Sequence, residues 1–228
     1  MATFADDTAI MAVGDSGEEA TEKLQRAVDK INNWTRKWLI KLNEAKSVHV
    51  DFTNRRCQRI PITINDKVIP HSNTAKYLGM TLDAKLRWKA HVKKKREELG
   101  LKYKKMYWLM GRRQVLSIHN KLMLYTQILK PVWTYSIQLW GCTKQSNTDI
   151  IQQFQNKVLR NIVDAPWYIR NADLHRGLQM EMVTNETGKF AKKHEERRLH
   201  HVNVEAIHLV DNRDLVRRLK RKKPLELV

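Results

Sequence analysis

Apolar residues recur with two different periods along the chain, and the period changes near residue 84. In the front part, residues 47–52 and 60–64 alternate polar and apolar side chains, which is the period of a strand with one buried face. An aspartate turn followed by a β-prone run predicts a hairpin over residues 1–13. A further strand is predicted around residues 77–82, so the front part is expected to be rich in β-structure.

One long amphipathic helix interrupts these strands. Ser16 and Glu19 form a capping box, in which each side chain satisfies a free backbone N–H at the start of a helix. Beyond them, apolar residues recur at steps of three and four as far as about Ile40, which predicts a helix with one buried face. The residues of this stripe are Leu24, Val28, Ile31, Trp34 and Trp38.

Helical periodicity dominates after residues 83–85, where we place a domain boundary. Three helices are predicted, the second ending at Pro131 and the third before Pro166. Their apolar stripes are Leu99, Tyr103, Met106 and Met110; Leu122, Tyr125 and Leu129; and Ile151, Phe154, Val158 and Ile162. The last stretch is helical and cationic. The prediction is an α+β chain in three parts, namely residues 1–84, 85–165 and 166–228.

The charge balance is the strongest compositional signal. The chain has 43 Lys and Arg against 24 Asp and Glu, for a net charge of +19. Such a field favours a polyanion, either nucleic acid or an anionic membrane surface. No apolar run approaches membrane-spanning length, so we expect no membrane partner. Cys57 and Cys142 are isolated, which favours a reduced intracellular setting without disulfides or a cysteine-based zinc site.

Two adjacent carboxylates, Asp6 and Asp7, are the first candidates for chemistry. Neighbouring side chains on a flat strand lie on opposite faces, so both can serve one metal centre only where the backbone turns. Mg²⁺ takes hard oxygen ligands and is usually held by one or two carboxylates plus substrate phosphates. A hairpin tip at this position is therefore a candidate Mg²⁺ site, and a solvated turn is the alternative.

Several motifs follow in a fixed order. Phe4-Ala5-Asp6-Asp7 resembles the aromatic-x-Asp-Asp box of reverse transcriptases, residues 41–47 resemble the next palm motif, and residues 77–83 resemble the hairpin that grips the primer. Later motifs are Pro131–Tyr135 with Trp140-Gly141, Gln155–Arg160 and Ala165–Tyr168. Together they resemble the jockey-type non-LTR retrotransposon reverse transcriptases, from the catalytic hairpin to the end of the polymerase.

This resemblance implies a fold and a reaction. The fold is part of a palm, built from a β-hairpin and a short antiparallel sheet with one long helix, followed by an all-helical thumb and a basic helical tail. The reaction is nucleotidyl transfer with Mg²⁺ or Mn²⁺, using an RNA template, a DNA primer or target, and dNTPs. The implied roles are metal ligation by Asp6 and Asp7, charge stabilisation at the leaving group by Lys46, and contact with the primer backbone by Tyr77, Leu78 and Gly79.

Basic residues crowd the first predicted thumb helix. Lys93, Lys94, Lys95 and Arg96 are consecutive, and we expect them to track backbone phosphates. Aromatic residues interleave with the basic ones further along this helix. Because a stripe such as Tyr103 and Met106 is typical of a core, we assign the binding to the lysines and not to the aromatics.

A second basic run covers residues 217–223. It fits a nucleic-acid contact or a nuclear-localisation signal, and a solvating tail fits it equally well. A nuclear location is compatible with this run.

The chain also departs from the family pattern. The Asp-Asp pair begins at the sixth residue, whereas in the family it follows a long fingers-and-palm region that carries a third catalytic Asp. We therefore expect a polymerase fragment that is inactive alone. The alternatives are a non-catalytic nucleic-acid-binding module and a decayed retroelement relic.

Overall fold

The computed structural model describes residues 1–4, 6–54, 60–112 and 114–202. Cys57 and the basic run at residues 217–223 lie outside these residues. The chain divides into two compact units, one covering Met1–Leu86 and the other beginning at Arg87. The first unit contains short antiparallel strands and one long helix, and the second is helical, so the predicted α+β class is confirmed.

Three separate two-stranded antiparallel hairpins make up the β-structure of the described residues. Their strands are β1 (Ala2–Phe4) with β2 (Asp7–Ala9), β3 (Thr63–Ile64) with β4 (Lys67–Val68), and β5 (Thr74–Tyr77) with β6 (Met80–Asp83). β2 ends at Ala9, well before the predicted end of the β-prone run. The prediction of a hairpin at the start of the chain is confirmed, with shorter strands.

Residues in the left-handed conformation form the turns of two of these hairpins. Asn65 and Asp66 have φ of 49° and 61°, which the two-residue loop between β3 and β4 needs. Leu78 and Gly79, with φ of 45° and 72°, turn the chain between β5 and β6. The prediction of one strand over residues 77–82 is therefore wrong, because the chain reverses at its centre.

The strand predicted over residues 47–52 is also wrong. These residues are all described, and they form no strand beyond an isolated parallel bridge between His49 and His71. The backbone N–H of His49 donates to the Pro70 carbonyl at 3.1 Å, and the N–H of Ser72 donates to the His49 carbonyl at 2.9 Å. The apolar Val48 and Phe52 are exposed, whereas the polar His49 and Asp51 are partly buried, so the alternation of this segment does not mark a buried strand face.

The long helix of the first unit, α1, spans Gly17–Lys37. The Ser16 hydroxyl accepts from the N–H of Glu19 at 3.1 Å, and the Glu19 carboxylate accepts from the N–H of Asp15 at 2.8 Å, so the predicted start is confirmed. Gln25 docks the helix on the β3–β4 hairpin, because its amide both donates to the carbonyl of Thr63 and accepts from its N–H.

The apolar stripe of α1 is only partly covered. Val28 is buried, whereas Trp34 and Trp38, at the C-terminal end of the stripe, are exposed and lie with their ring centroids 6.5 Å apart. The helix ends at Lys37, three residues before the predicted end.

The second unit is built from helices. They are α2 (Lys89–Met110), α3 (Ile118–Leu124), a π-helical turn (Tyr125–Leu129), α4 (Lys130–Thr134), α5 (Ile137–Trp140), α6 (Gln145–Ile162), α7 (Asn171–Gly177) and α8 (Val183–Leu199). Among the described helices, none is both long enough and apolar enough to cross a membrane.

Pro131 does not end a helix as predicted. The chain stays helical from α3 through the π-helical turn into α4, where Pro131 occupies the first turn. Proline lacks a backbone N–H, and it is tolerated in a first turn because that N–H would have no intrahelical partner. The π-helical turn shifts the hydrogen-bond pattern just before this position, which periodicity alone could not reveal.

Helices α2 and α6 run side by side through the core of the second unit. At their first turns, Thr143 and Asn147 both donate to the carbonyl of Arg87. Near their last turns, the Asn161 amide donates to the Tyr103 hydroxyl at 2.8 Å. The predicted stripes supply much of the core, including Leu99, Met110, Tyr125, Leu129, Ile151, Phe154 and Val158.

Candidate catalytic hairpin and nucleic-acid interface

The Asp-Asp pair lies at the tip of the β1–β2 hairpin. Phe4 pairs with Asp7, so the loop between the strands consists of two residues, the second of which is Asp6. Asp6 is in the turn and Asp7 is the first residue of β2, and both are exposed. The backbone turns at this pair, which is the condition under which adjacent carboxylates can share one cation.

These two carboxylates fit the oxygen chemistry of Mg²⁺. No cluster of three or more His, Cys, Asp or Glu able to hold a metal occurs in the described part of the chain. Two carboxylates at an exposed tip suit an ion that keeps several waters and takes its other ligands from substrate phosphates. They do not make the dedicated cage that a structural metal requires.

Lys46 lies in a compact turn built by Asn43. The Asn43 side-chain oxygen accepts from the N–H of Lys46 at 3.1 Å, and its carbonyl accepts from the N–H and hydroxyl of Ser47. The neighbouring Glu44 accepts from the Asn65 amide at 2.8 Å, and this hydrogen bond lowers the pKa of the Glu44 carboxyl. The turn is thereby tied to the β3–β4 hairpin, while Lys46 itself is exposed.

Tyr77, Leu78 and Gly79 lie at the tip of the β5–β6 hairpin. Tyr77 pairs with Met80, so Leu78 and Gly79 form the two-residue loop. Gly79 is exposed and adopts a φ of 72°, which glycine reaches without a Cβ penalty. A hairpin tip with an exposed glycine permits close approach of a phosphate.

The structure separates the four basic residues predicted to bind phosphates. Lys93 and Lys94 are exposed on α2. The Lys95 ammonium pairs with Glu98 at 3.2 Å and lies 5.5 Å from the centroid of the Tyr135 ring, leaving its side chain 14% exposed. The Arg96 guanidinium stacks 4.7 Å from the centroid of the Phe154 ring. Two of the four cations therefore have partners within the second unit.

The aromatics of α2 also divide into two groups. Tyr103 is buried, as its place in the apolar stripe predicts, and Trp88 lies in the core at the start of the helix. Tyr107 and Trp108, which lie outside the predicted stripe, are exposed. Trp108 follows Lys104 and Lys105 by one turn, and both lysines are exposed as well.

A histidine–aspartate cluster in the first unit was missed by the sequence reasoning. The Asp51 carboxylate lies 3.2 Å from Nε2 of His49 and 3.0 Å from Nε2 of His71, and the two imidazole rings meet edge to face. Burial lowers the pKa of His49, and Asp51 opposes this shift. Nothing in the local pattern signals the cluster, because His71 is brought to the other two residues by the fold.

The motif at residues 155–160 is structural. The buried Gln155 donates to the Glu181 carbonyl at 3.0 Å, and Asn156 Oδ1 lies 2.8 Å from Nε2 of the buried His175. The Arg160 guanidinium donates to the carbonyls of Pro166 and Ile169 and to the side-chain oxygen of Asn171. These side chains fasten α6 to the segments that follow it.

Comparison with known proteins gives matches along the whole chain. The probable RNA-directed DNA polymerase from transposon X-element of Drosophila melanogaster is 38% identical over 228 residues, covering all of this chain. The RNA-directed DNA polymerase from mobile element jockey of the same species is 34% identical, again across the full chain. The resemblance to jockey-type reverse transcriptases is confirmed.

A third relative, the probable RNA-directed DNA polymerase from transposon BS of Drosophila melanogaster, is 32% identical over 97% of the chain. The chain spans about a quarter of the length of these curated relatives. No protein-family model matches the chain. No solved structure matches it either.

Proposed function

We propose that this chain supplies the aspartate hairpin and the helical thumb of a non-LTR retrotransposon reverse transcriptase. The proposal is carried by the Asp6–Asp7 pair at a hairpin tip, in a chain similar along its whole length to RNA-directed DNA polymerases. In this proposal residues 1–84 form the end of the palm, residues 85–165 the thumb, and residues 166–228 a basic helical segment.

The proposed site uses three residues of the first unit. Asp6 is the main metal ligand, Asp7 its partner, and Lys46 the cation beside the departing pyrophosphate of the dNTP. Mg²⁺, or Mn²⁺ in its place, would supply the positive charge that activates a primer hydroxyl and neutralises the leaving group. The exposure of Asp6, Asp7 and Lys46 supports this assignment, since each must reach a substrate.

The proposed partners are an RNA template and a DNA primer or target. The hairpin tip at Tyr77, Leu78 and Gly79, of which Gly79 is exposed, would contact the primer backbone. Lys93 and Lys94 would contact phosphates along the thumb, with Lys95 and Arg96 in supporting positions. A net charge of +19 supports a polyanionic partner.

We expect no primer extension by the 228-residue chain alone. Positioning of two ions requires further carboxylates, and the resemblance puts a third aspartate in an earlier strand of the polymerase. The test is primer extension on poly(rA)/oligo(dT) with Mg²⁺ or Mn²⁺, with and without the preceding part of the X-element polymerase supplied in trans. Extension should occur only in the complemented sample, and Asp6→Asn should abolish it.

A matched control is Asp66→Asn, since Asp66 is an exposed hairpin-turn aspartate of the same unit. It should leave complemented extension unchanged. Extension by the lone chain that Asp6→Asn removes would refute the need for the earlier part. Complemented extension that survives Asp6→Asn would refute the assignment of the hairpin.

A non-catalytic nucleic-acid-binding module is the second candidate, favoured by the charge and by the exposed lysines of α2. Both candidates predict binding to RNA, DNA and hybrid duplexes with an affinity that falls steeply with salt. Lys94→Gln should weaken binding across all sequences and reduce the salt slope by about one. Lys95→Gln removes the same charge from a lysine that is already paired, and should have a smaller effect. Salt-independent affinity would contradict both candidates.

A further inference from the structure

Two pairs of exposed aromatic residues lie at one end of the second unit. Tyr107 and Trp108 belong to the last turns of α2, and Trp108 is 67% exposed. Trp167 and Tyr168 lie in the loop after α6, and Trp167 is 89% exposed. An ion pair of 3.2 Å between Arg112 and Asp164 joins the two segments a few residues away from each aromatic pair.

The four exposed aromatic residues Tyr107, Trp108, Trp167 and Tyr168 form an aromatic platform, and contacts within the second unit anchor the segments that carry it. The Arg160 guanidinium donates to the carbonyls of Pro166 and Ile169, at 2.5 and 2.8 Å, which flank Trp167 and Tyr168. On the other side, the Tyr107 ring meets the buried Tyr103 ring edge to face at 5.9 Å. A segment whose backbone is anchored in this way loses less conformational entropy when a ligand binds to it.

The charge around the platform is positive. Lys104, Lys105 and Arg170 are exposed next to the aromatics in sequence, and the carboxylate of Asp164 is paired with Arg112. Large exposed aromatic groups mark binding sites, and cationic flanks select a polyanion. Unpaired bases can stack on indole and phenol rings, whereas bases within a duplex are already stacked on each other.

We propose that this end of the second unit binds single-stranded nucleic acid. Trp108 and Trp167 stack on unpaired bases, while Lys104, Lys105 and Arg170 contact the adjoining phosphates. The inference rests on the proposed nucleic-acid role of the second unit and adds a strand preference to it. This surface therefore prefers single strands. Lys93 and Lys94, by contrast, contact phosphates whether or not the bases are paired.

The test compares three ligands on the full chain, namely an oligouridylate of about a dozen nucleotides, an abasic strand of equal length, and a blunt duplex. Trp108→Ala with Trp167→Ala should weaken oligouridylate binding about tenfold or more, because stacking contributes about 1–3 kcal/mol per base. Binding of the abasic strand and the duplex should be unchanged. Oligouridylate should quench the tryptophan fluorescence of the wild-type chain, and the double variant should lose this quenching.

Matched variants sharpen the comparison. Trp38→Ala removes an exposed tryptophan of the first unit and should leave all three affinities unchanged. Trp108→Phe keeps an aromatic face and should retain most of the oligouridylate affinity. Thermal unfolding of each variant checks that the fold is intact.

The outcomes separate this inference from the proposed function. Oligouridylate binding that is unchanged in the double variant, or an equal loss for all three ligands, overturns the strand preference alone. A change of self-association without a change in oligouridylate binding assigns the surface to a protein partner and also overturns it. If the wild-type chain binds none of the three ligands, the proposed nucleic-acid role fails as well.

Discussion

At the scale of single residues, the pKa of His91 shows the effect of burial. It is buried in α2, with its ring 6.0 Å from the Trp88 ring and 6.1 Å from the Trp140 ring, measured between centroids. Burial lowers the pKa of His91 to about 4, and Lys95 and Lys94 contribute to the shift. The folded chain therefore holds this histidine neutral at pH values at which the unfolded chain protonates it.

Acidification should consequently destabilise the second unit. A histidine whose pKa is lowered on folding costs stability as the pH falls below its unfolded value near 6.5, until the folded group also titrates near 4. Between pH 7 and about pH 4.5, we expect His91 to lower the free energy of unfolding by about 2 kcal/mol. Urea unfolding at both pH values measures this loss. His91→Gln should reduce it, whereas a change at the exposed His119 should not.

Gly141 allows α8 to approach α5 closely. A Cβ at this position would clash with the Thr187 side chain and with the Ile137 carbonyl. Gly141→Ala should therefore lower the free energy of unfolding by about 1–3 kcal/mol. Gly177→Ala is the control, because a Cβ there meets nothing within 4 Å. Thermal unfolding of both variants checks this, and equal midpoints would contradict the close approach.

At the scale of elements, hydrogen bonds from side-chain amides hold α6 in place together with apolar contacts. His175 donates from Nδ1 to the Met180 carbonyl at 2.8 Å, and Gln152 accepts from the N–H of Val183 at 2.8 Å. Asn156 contacts both Gln152 and His175. This network joins α6 to the start of α8, where backbone groups would otherwise be buried without partners.

Replacing Asn156 should show how much this network contributes to the free energy of unfolding. Asn156→Ala leaves the buried His175 and the partly buried Gln152 with fewer partners, so we expect a loss of about 1–3 kcal/mol in the free energy of unfolding. Gln153→Ala changes an exposed amide on the same helix and should be close to neutral. Chemical unfolding of both variants gives the comparison, and similar midpoints would argue against a structural role.

At the scale of the whole molecule, the two units should differ in their ability to fold on their own. The second unit has its own core of interlocking helices, including the buried Trp133 and Trp140. The first unit consists of three short hairpins and a helix with exposed Trp34 and Trp38. Unpaired sheet edges and exposed apolar surface both favour aggregation.

We therefore expect limited proteolysis to cut first near residues 83–88 and to leave a helical core. A chain that begins at Arg87 should retain helical circular dichroism and unfold cooperatively. A chain that ends at Leu86 should be the less soluble of the two. Uniform resistance across residues 83–88 would instead indicate one integrated domain.

Sequence reasoning succeeded where structure is set by neighbouring residues. The capping of α1 by Ser16, the hairpin at Asp6 and Asp7, and the helical stripes of the second unit all follow from residues close in the chain. It failed at residues 47–52, at residues 77–82 and at Pro131, where the chain departs from regular periods. In each place the local pattern fits two conformations, and the sequence period does not select between them.

The sequence by itself determined the order of motifs, the jockey-type resemblance, the strong positive charge and the two-aspartate turn. Only the tertiary structure decided which charges and rings remain available to a partner. Lys95 and Arg96 directly follow Lys94 in one basic run. In the structure, however, Lys95 lies over the Tyr135 ring and Arg96 over the Phe154 ring. Tyr107 follows the buried Tyr103 by one helical turn but lies exposed. Availability depends on contacts between residues far apart in the chain, which periodicity and composition do not encode.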